Sequence, residues 1–262
     1  MRVKNLLTAG LTVAVLAGAP ATASASALSL CGDLGGQWDG RYCGTTVTSE
    51  RQAVRDIKLA VPGDLVDHPV AGPVVREYLR ALMNNWRSVA GQMVADSYGE
   101  ENFETFTHGS LLSAVFHETY HADGPDFNNA YRTFTFDLAH GRQLQLADLL
   151  RPGVDPLTAI PPLAQPYLRD ALDTATPPHQ PGSYPFIPDR WTPDKVYSGG
   201  YRAWALTGDE LILYLPDYPV AHDQPVDYST GAMQWSMDGG TVVAHVPLAA
   251  LRPILRADLG GL

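Results

Sequence analysis

Cysteine is scarce in this 262-residue chain, with two residues, Cys31 and Cys43, both near the N-terminus. Two cysteines without a neighbouring histidine supply only half of the ligands of a structural zinc site, so a metal role is unfavourable. In an oxidising compartment, a closely spaced even pair is typical of a disulfide. We therefore predict that a Cys31–Cys43 disulfide closes residues 31–43, the disulfide tip, and that the ring contributes roughly 2–3 kcal/mol of stability.

Basic residues and long apolar runs are also few. The chain has 18 Lys and Arg against 28 Asp and Glu, which gives a formal net charge of −10. An acidic surface repels phosphate backbones, so nucleic acid is a poor partner. After residue 18, no apolar run approaches the roughly 20 residues that a membrane-spanning helix requires. We expect a folded mature chain with no membrane span, because a hydrophobic content of 45% supports an ordinary core.

The first 27 residues have the pattern of a secretory signal. Arg2 and Lys4 form a positive start, and residues 6–18 form an uncharged apolar run. Small residues follow, and cleavage patterns of the A-x-A type end at Ala25 and at Ala27. We therefore predict a cleaved signal peptide over residues 1–27 and a mature protein that is secreted or lies at the cell envelope.

The remaining sequence predicts an α+β fold with a mainly antiparallel sheet and packed helices. The clearest helix begins near Pro73, where apolar residues recur at helical spacing as far as Val89. Short turns join most of the strand-like runs, which favours antiparallel pairing. A proline-rich stretch at 176–193 predicts an extended crossing over the surface. The predicted strands lie within 45–61, 103–107, 111–121, 131–138, 202–215 and 241–246, and a second helix covers 155–173.

One motif suggests zinc chemistry. His117-Glu118-Thr119-Tyr120-His121 has the H-E-x-x-H pattern, in which a helix brings two histidines to one metal beside a glutamate base. The composition of residues 111–121 instead favours a strand, on which residues four apart are separated by about 13 Å. The structural alternative is a polar strand face that carries Ser113, His117, Thr119 and His121. Local structure decides between the two, because only a helix permits the zinc site.

A serine hydrolase is the second enzymatic alternative. The nucleophile elbow requires G-x-S-x-G, and no glycine of this chain has a serine two residues after it. Histidine and aspartate are available elsewhere, so a non-standard triad stays open. A serine within hydrogen-bond reach of a histidine in a cleft would support it.

The disulfide tip carries the candidate binding residues Trp38, Asp39 and Tyr42. Sugar sites combine an aromatic ring, which contacts the apolar face of a pyranose, with carboxylates or amides that bind hydroxyl groups. A small ring would hold these side chains at the surface, where an exposed tryptophan favours a partner. The structural alternative is that Trp38 only packs the tip onto the domain.

Two stretches resemble a known family. Residues 131–150, which begin Tyr-Arg-Thr-Phe-Thr-Phe-Asp, and residues 204–214 with 246–251 resemble the family that joins the mycobacterial secreted immunogenic proteins to the extracellular C-terminal domain of the RsiV anti-sigma factor. The resemblance implies an exported α+β fold with a β-grasp-like half, and a strand at residues 111–121. It carries no catalytic residue over. The anti-sigma relatives bind lysozyme through this domain, but this chain lacks their membrane and sigma-binding parts.

The Cys…Leu-Gly-Gly-x-Trp-x-Gly-x-x-Cys segment is similar to a short mannan-binding module of actinobacterial exported proteins. Together these features predict a signal peptide (1–27), a disulfide-closed segment (28–44) and one α+β domain (45–262). The favoured function is non-enzymatic binding of a mannan-type glycan or of an extracellular or envelope protein, without a cofactor. The alternative is a secreted hydrolase, either zinc-dependent through His117 and His121 or a serine esterase.

Overall fold

A computed structural model of the chain describes residues 25–121, 127–174, 192–194, 200–215 and 242–262. Within these ranges the protein is α+β, with one seven-stranded, mainly antiparallel sheet and one three-stranded sheet. This confirms the predicted fold class. Residues 1–24 of the predicted signal peptide lie outside the described residues, as does the proline-rich stretch at 176–193 apart from residues 192 and 193.

The large sheet follows chain order, so each strand is bonded to the next one along the sequence. Every pair is antiparallel except β3 and β4, whose parallel pairing requires a long connection that carries two helices. The strands are β1 (Gln37–Trp38), β2 (Tyr42–Thr48), β3 (Val54–Ala60), β4 (Ser97–His108), β5 (Leu111–His121), β6 (Phe127–Asp137) and β7 (Arg142–Leu144). The helices up to this point are α1 (Ala25–Asp33), α2 (Gly63–Val66) and α3 (Gly72–Ala90).

Helix α3 covers one face of the large sheet and forms the main core with it. Its buried stripe includes Leu79, Met83 and Trp86, and Pro73 lies in its first turn, as the sequence predicts. Trp86 packs directly on β4 at Gly99, where an added Cβ would lie 2.7 Å from a ring carbon. The glycine is therefore required by the close approach of the helix to the sheet.

The remaining elements form a second core around the small sheet. Helix α4 contains three prolines but keeps a buried stripe that includes Ile160 and Leu168. The small sheet has the order β10-β9-β8, and the hairpin and final strand predicted from the sequence are confirmed. These elements are α4 (Pro156–Thr174), β8 (Trp204–Leu206), β9 (Glu210–Leu215), β10 (Val242–Pro247) and α5 (Leu248–Leu251).

The small sheet packs on the large sheet, on the face opposite α3. Val115 of β5 contacts Ile212 and Tyr214 of β9 in an apolar layer between the sheets. Ser113, which the sequence analysis placed on a polar strand face, is buried there, and its Oγ accepts a hydrogen bond from the backbone N–H of Leu206. Ser113 is thus a polar residue of this strand face, as the sequence suggests, and the small sheet covers the face at this position. The small sheet contacts β4, β5 and β6, and the outer face of β2 and β3 carries exposed polar residues.

Candidate functional site

The disulfide tip is fixed firmly to the core. Cys31 and Cys43 are bonded as predicted, with their Cα atoms 5.3 Å apart, and both are buried. Gly36 lies against the sulfur atoms, where an added Cβ would be 2.4 Å from Sγ of Cys43. From α3, the guanidinium of Arg87 donates to the backbone carbonyls of Leu34 and Gly35. The tip is therefore a rigid edge of the large sheet.

A groove of about 630 Å³ runs beside the tip, along the outer face of β1, β2 and β3. Strand alternation explains its polar lining, because residues at every second position of β2 and β3 face away from the core. In β3, Arg55, Ile57 and Leu59 are buried, and the residues between them are exposed. We call this the tip groove, and its polar side chains are those of Gln37, Asp39, Tyr42, Thr45, Thr46, Asp56 and Lys58.

Trp38 lines the tip groove and also packs the tip onto the domain. Its register partner is Cys43, whose side chain is buried on the α3 side, and the half-buried indole contacts the main core. The indole N–H is buried and has no hydrogen-bond partner within the described part of the chain. Trp38 therefore packs the tip onto the domain and also lines the groove, so its substitution would disturb the core as well as the groove.

Asp39 shapes the turn between β1 and β2. Its Oδ1 accepts backbone hydrogen bonds from Tyr42 at 2.7 Å and from Arg41 at 2.9 Å. These bonds, with that of Tyr42 the stronger influence, lower the pKa of Asp39 below its ordinary value. The carboxylate is therefore ionised at neutral pH, and one of its oxygens is committed to the turn.

The ring of Tyr42 lines the groove, and contacts with neighbouring residues fix its position. Its hydroxyl donates to Oδ1 of Asn102 on β4 at 2.7 Å. The guanidinium carbon of Arg41 lies 5.0 Å from the ring centroid, so one face of the ring is covered by a cation. The ring that lines the tip groove is therefore held both at its hydroxyl and by this cation.

Thr46, Asp56 and Lys58 are groove residues that the sequence analysis did not single out. Thr46 Oγ1 donates to Oδ1 of Asp56 at 2.8 Å across β2 and β3, and both residues are exposed. Lys58 lies on the same face, opposite Gly44. The alternation of apolar and polar residues in Val54–Ala60 could have indicated Asp56 and Lys58 once β3 was assigned.

The H-E-x-x-H segment lies on a strand, as its composition predicted. His117 and His121 belong to β5, and the glutamate between them faces the other side of the sheet, where Glu118 accepts a hydrogen bond from Tyr78 of α3. His117 instead stacks on Tyr131 with ring centroids 4.4 Å apart. A strand separates residues four apart by about 13 Å, so the helical zinc geometry does not form.

A second cleft, of about 670 Å³, is lined by a serine, two histidines and two aspartates among other residues. Asp137 is buried, and its Oδ2 accepts a 2.7 Å hydrogen bond from Nδ1 of His140. Ser110 and His108 line the same cleft. Within residues 25–121 and 127–174, the Ser110 hydroxyl makes no hydrogen bond to either histidine. No contact between a serine nucleophile and a histidine base is therefore formed in this cleft.

Comparison with known protein families gives two partial matches. A family described as mannan-binding protein matches residues 21–57, which include α1, β1, β2 and most of β3. A family described as protein of unknown function DUF3298 matches residues 147–249. No curated protein matches the chain. The first match indicates carbohydrate binding for the N-terminal segment, and its residues form all of the polar tip groove except Lys58.

One of two similar solved structures shares the fold, at low sequence identity. A DUF3298 family protein of Pseudomonas aeruginosa is similar with a TM-score of 0.53 and 14% identity, over 83% of this chain and 94% of that chain. A DUF3298 family member of Bacteroides fragilis has a TM-score of 0.48 and 12% identity, over 84% of this chain and 96% of that chain. At such identity, the Pseudomonas similarity shows a shared fold alone. No helix among the described residues has the length and apolar character needed to cross a bilayer.

Proposed function

We propose that the chain is an exported, non-enzymatic carbohydrate-binding protein that binds a mannan-type glycan in the tip groove, at the cell envelope or outside the cell. Residues 1–27 act as its signal peptide, residues 28–44 contribute the disulfide-closed part of the site, and residues 45–262 form one domain. That domain is of the type found in the mycobacterial secreted immunogenic proteins and in the extracellular part of RsiV.

One observation carries the proposal: the segment that matches the mannan-binding family contains every residue that lines the tip groove except Lys58. The groove combines an aromatic ring at Tyr42 with the exposed carboxylate of Asp56 and the ammonium of Lys58. A pyranose presents an apolar face and a set of hydroxyl groups, so it is complementary to this combination. The disulfide and the anchoring bonds of Arg87 fix the tip in advance, which lowers the entropic cost of binding.

The disulfide also supports an extracellular role. Structural disulfides persist in oxidising compartments, and Cys31 and Cys43 are both buried in the core.

A single groove with an open, polar lining binds one sugar weakly, and a polymer gains affinity when several sites are engaged together. The proposed ligand is therefore the polymer and not the free monosaccharide.

The experiment is a glycan array probed with the full mature protein beside the variants Asp56→Asn and Asp64→Asn. Asp56 lies in the groove, whereas Asp64 is exposed on α2 and serves as the matched control. We expect selective retention of mannose-rich glycans by the wild type and by D64N, and a loss of signal for D56N. Equal signal for all three proteins would place the site elsewhere. The absence of any glycan binding by the wild type would overturn the proposal.

A further inference from the structure

The pairing of β2, β3 and β4 brings Tyr42 of the tip close to Asn102, which is distant from it in sequence. Tyr42 of β2 pairs with Ala60 of β3. Leu59 pairs with Glu101 across the parallel β3–β4 ladder, so Ala60 and Asn102 follow as the next neighbours. Asn102 therefore lies in one row with Tyr42, on the outer face of the sheet, although it lies well outside the segment that matches the mannan-binding family.

The amide of Asn102 is oriented by bonds at both of its ends. Its Oδ1 accepts hydrogen bonds from the Tyr42 hydroxyl at 2.7 Å and from Nη2 of Arg41 at 3.2 Å. Its Nδ2 donates to Oε1 of Glu100 at 2.9 Å. Because Arg41 also lies over the ring of Tyr42, Asn102 holds both the aromatic ring and the cation that covers one of its faces.

We propose that the glycan site is composite and that Asn102 is a positioning residue, which acts on the ligand through Tyr42. This inference rests on the proposed function of the tip groove. Contact between an aromatic ring and a sugar needs a defined ring orientation, and fixing a side chain before binding removes the cost of immobilising it afterwards. The α+β domain thus sets the affinity of the N-terminal segment through a single amide side chain.

A purely structural role for Asn102 makes a different prediction. If the bond to Tyr42 served only to fasten the tip, its loss would lower the melting temperature and leave the affinity of the folded protein unchanged. The tip has further anchors in the Cys31–Cys43 disulfide and in Arg87. Loss of the Asn102 bond alone should therefore leave the tip folded and free the ring of Tyr42 to move.

A double-mutant cycle on the full mature chain tests the inference, with mannan affinity and melting temperature as readouts. The variants are Tyr42→Phe, which removes only the hydroxyl, Asn102→Ala, and the double variant. Asn85→Ala is the matched control, because Asn85 is exposed on α3 and does not line the tip groove. We expect both single variants to weaken binding by roughly two- to tenfold, the range for one immobilised side chain. The mannan affinity of the double variant should be no lower than that of the single variant that binds more weakly.

The outcomes separate the inference from the proposed function. A wild type that does not bind mannan removes the proposed function and the inference with it. A wild type that binds, with N102A binding equally well, overturns the inference alone. The same conclusion follows if N102A and Y42F weaken binding independently, because additive effects mean that Asn102 does not act through the Tyr42 hydroxyl.

Discussion

Glu101 and Glu118 lie directly opposite each other on β4 and β5, and both are buried on the face that α3 covers. Oε1 of Glu118 accepts hydrogen bonds from the Tyr78 hydroxyl and from Nε of Arg132, each at 3.1 Å. Neither carboxyl oxygen of Glu101 has a partner of ordinary hydrogen-bond geometry in the described part of the chain. Burial, and then the charge of Glu118, raises the pKa of Glu101 well above its ordinary value, and the opposing influence of the Ala60 backbone is smaller.

This pair makes the fold less stable as the pH rises. Folded Glu101 keeps its proton in a range where the unfolded chain has released it, so its stabilising contribution is complete below about pH 4.5. The contribution is then lost as the pH rises through the raised pKa of the folded state. The variant Glu101→Gln cannot ionise, and we expect its melting temperature to exceed that of the wild type by a margin that grows from pH 5 to pH 8. A gain of about 1 kcal/mol corresponds to roughly 2–4 °C in a protein of this size.

The control for that prediction is Glu104→Gln, because Glu104 is exposed on the same strand. Its melting temperature should follow that of the wild type at every pH. A difference between E101Q and the wild type that stays constant with pH would mean that Glu101 is ionised in the folded protein throughout the range.

The disulfide should account for a measurable part of the stability. Replacing both Cys31 and Cys43 by alanine removes the constraint on the unfolded chain, and we expect a loss of about 3 kcal/mol in the free energy of unfolding. Urea titration of the wild type, with and without reductant, provides the measurement. A double variant as stable as the oxidised wild type would show that the core alone fixes the tip.

The contact between Trp86 and Gly99 should tolerate no side chain. A Cβ at Gly99 would lie 2.7 Å from the indole, so Gly99→Ala must displace α3 or the ring. Overpacking of this kind costs about 1–3 kcal/mol, which denaturant unfolding can measure. The matched control is Gly208→Ala, because an added Cβ there has no neighbour within 4 Å. Equal stability of the two variants would contradict the packing described here.

The H-E-x-x-H motif should not bind zinc. His117 stacks on Tyr131, and Tyr131 stacks on Tyr214 at 4.5 Å, so His117 belongs to an aromatic column between the two sheets. Protein incubated with zinc and dialysed should retain less than one equivalent by elemental analysis. One equivalent that disappears in His117→Ala would restore the metalloenzyme alternative.

The sequence predicted the helices and strands better than it predicted which strands pair. The helical stripe that starts near Pro73 and the alternation at 131–138 report local periodicity, and both elements are confirmed. The parallel β3–β4 pair was missed, because the pairing depends on how α3 returns the chain to the sheet and not on any local pattern.

The candidate site shows the same limit. Trp38, Asp39 and Tyr42 do line one groove, but no local pattern indicates that a carboxylate oxygen of Asp39 accepts the backbone hydrogen bonds of the turn. The contact between Tyr42 and Asn102 joins residues 60 positions apart, and only the sheet register creates it. The alternation of apolar and polar residues in β3 could have predicted that Asp56 and Lys58 are exposed. The same alternation does not predict an arginine on the buried face, where Arg55 lies.

A glycan site in the tip groove can be tested by an NMR titration of the isotopically labelled mature protein with an α-linked mannose oligosaccharide, with an α-linked glucose oligosaccharide as the control. We expect the backbone amide shifts of Gln37, Tyr42, Thr46 and Lys58 to change with the mannose ligand and to stay unchanged with the glucose ligand. Shift changes confined to the second cleft near His140, or no change with either sugar, would contradict a glycan site in the tip groove.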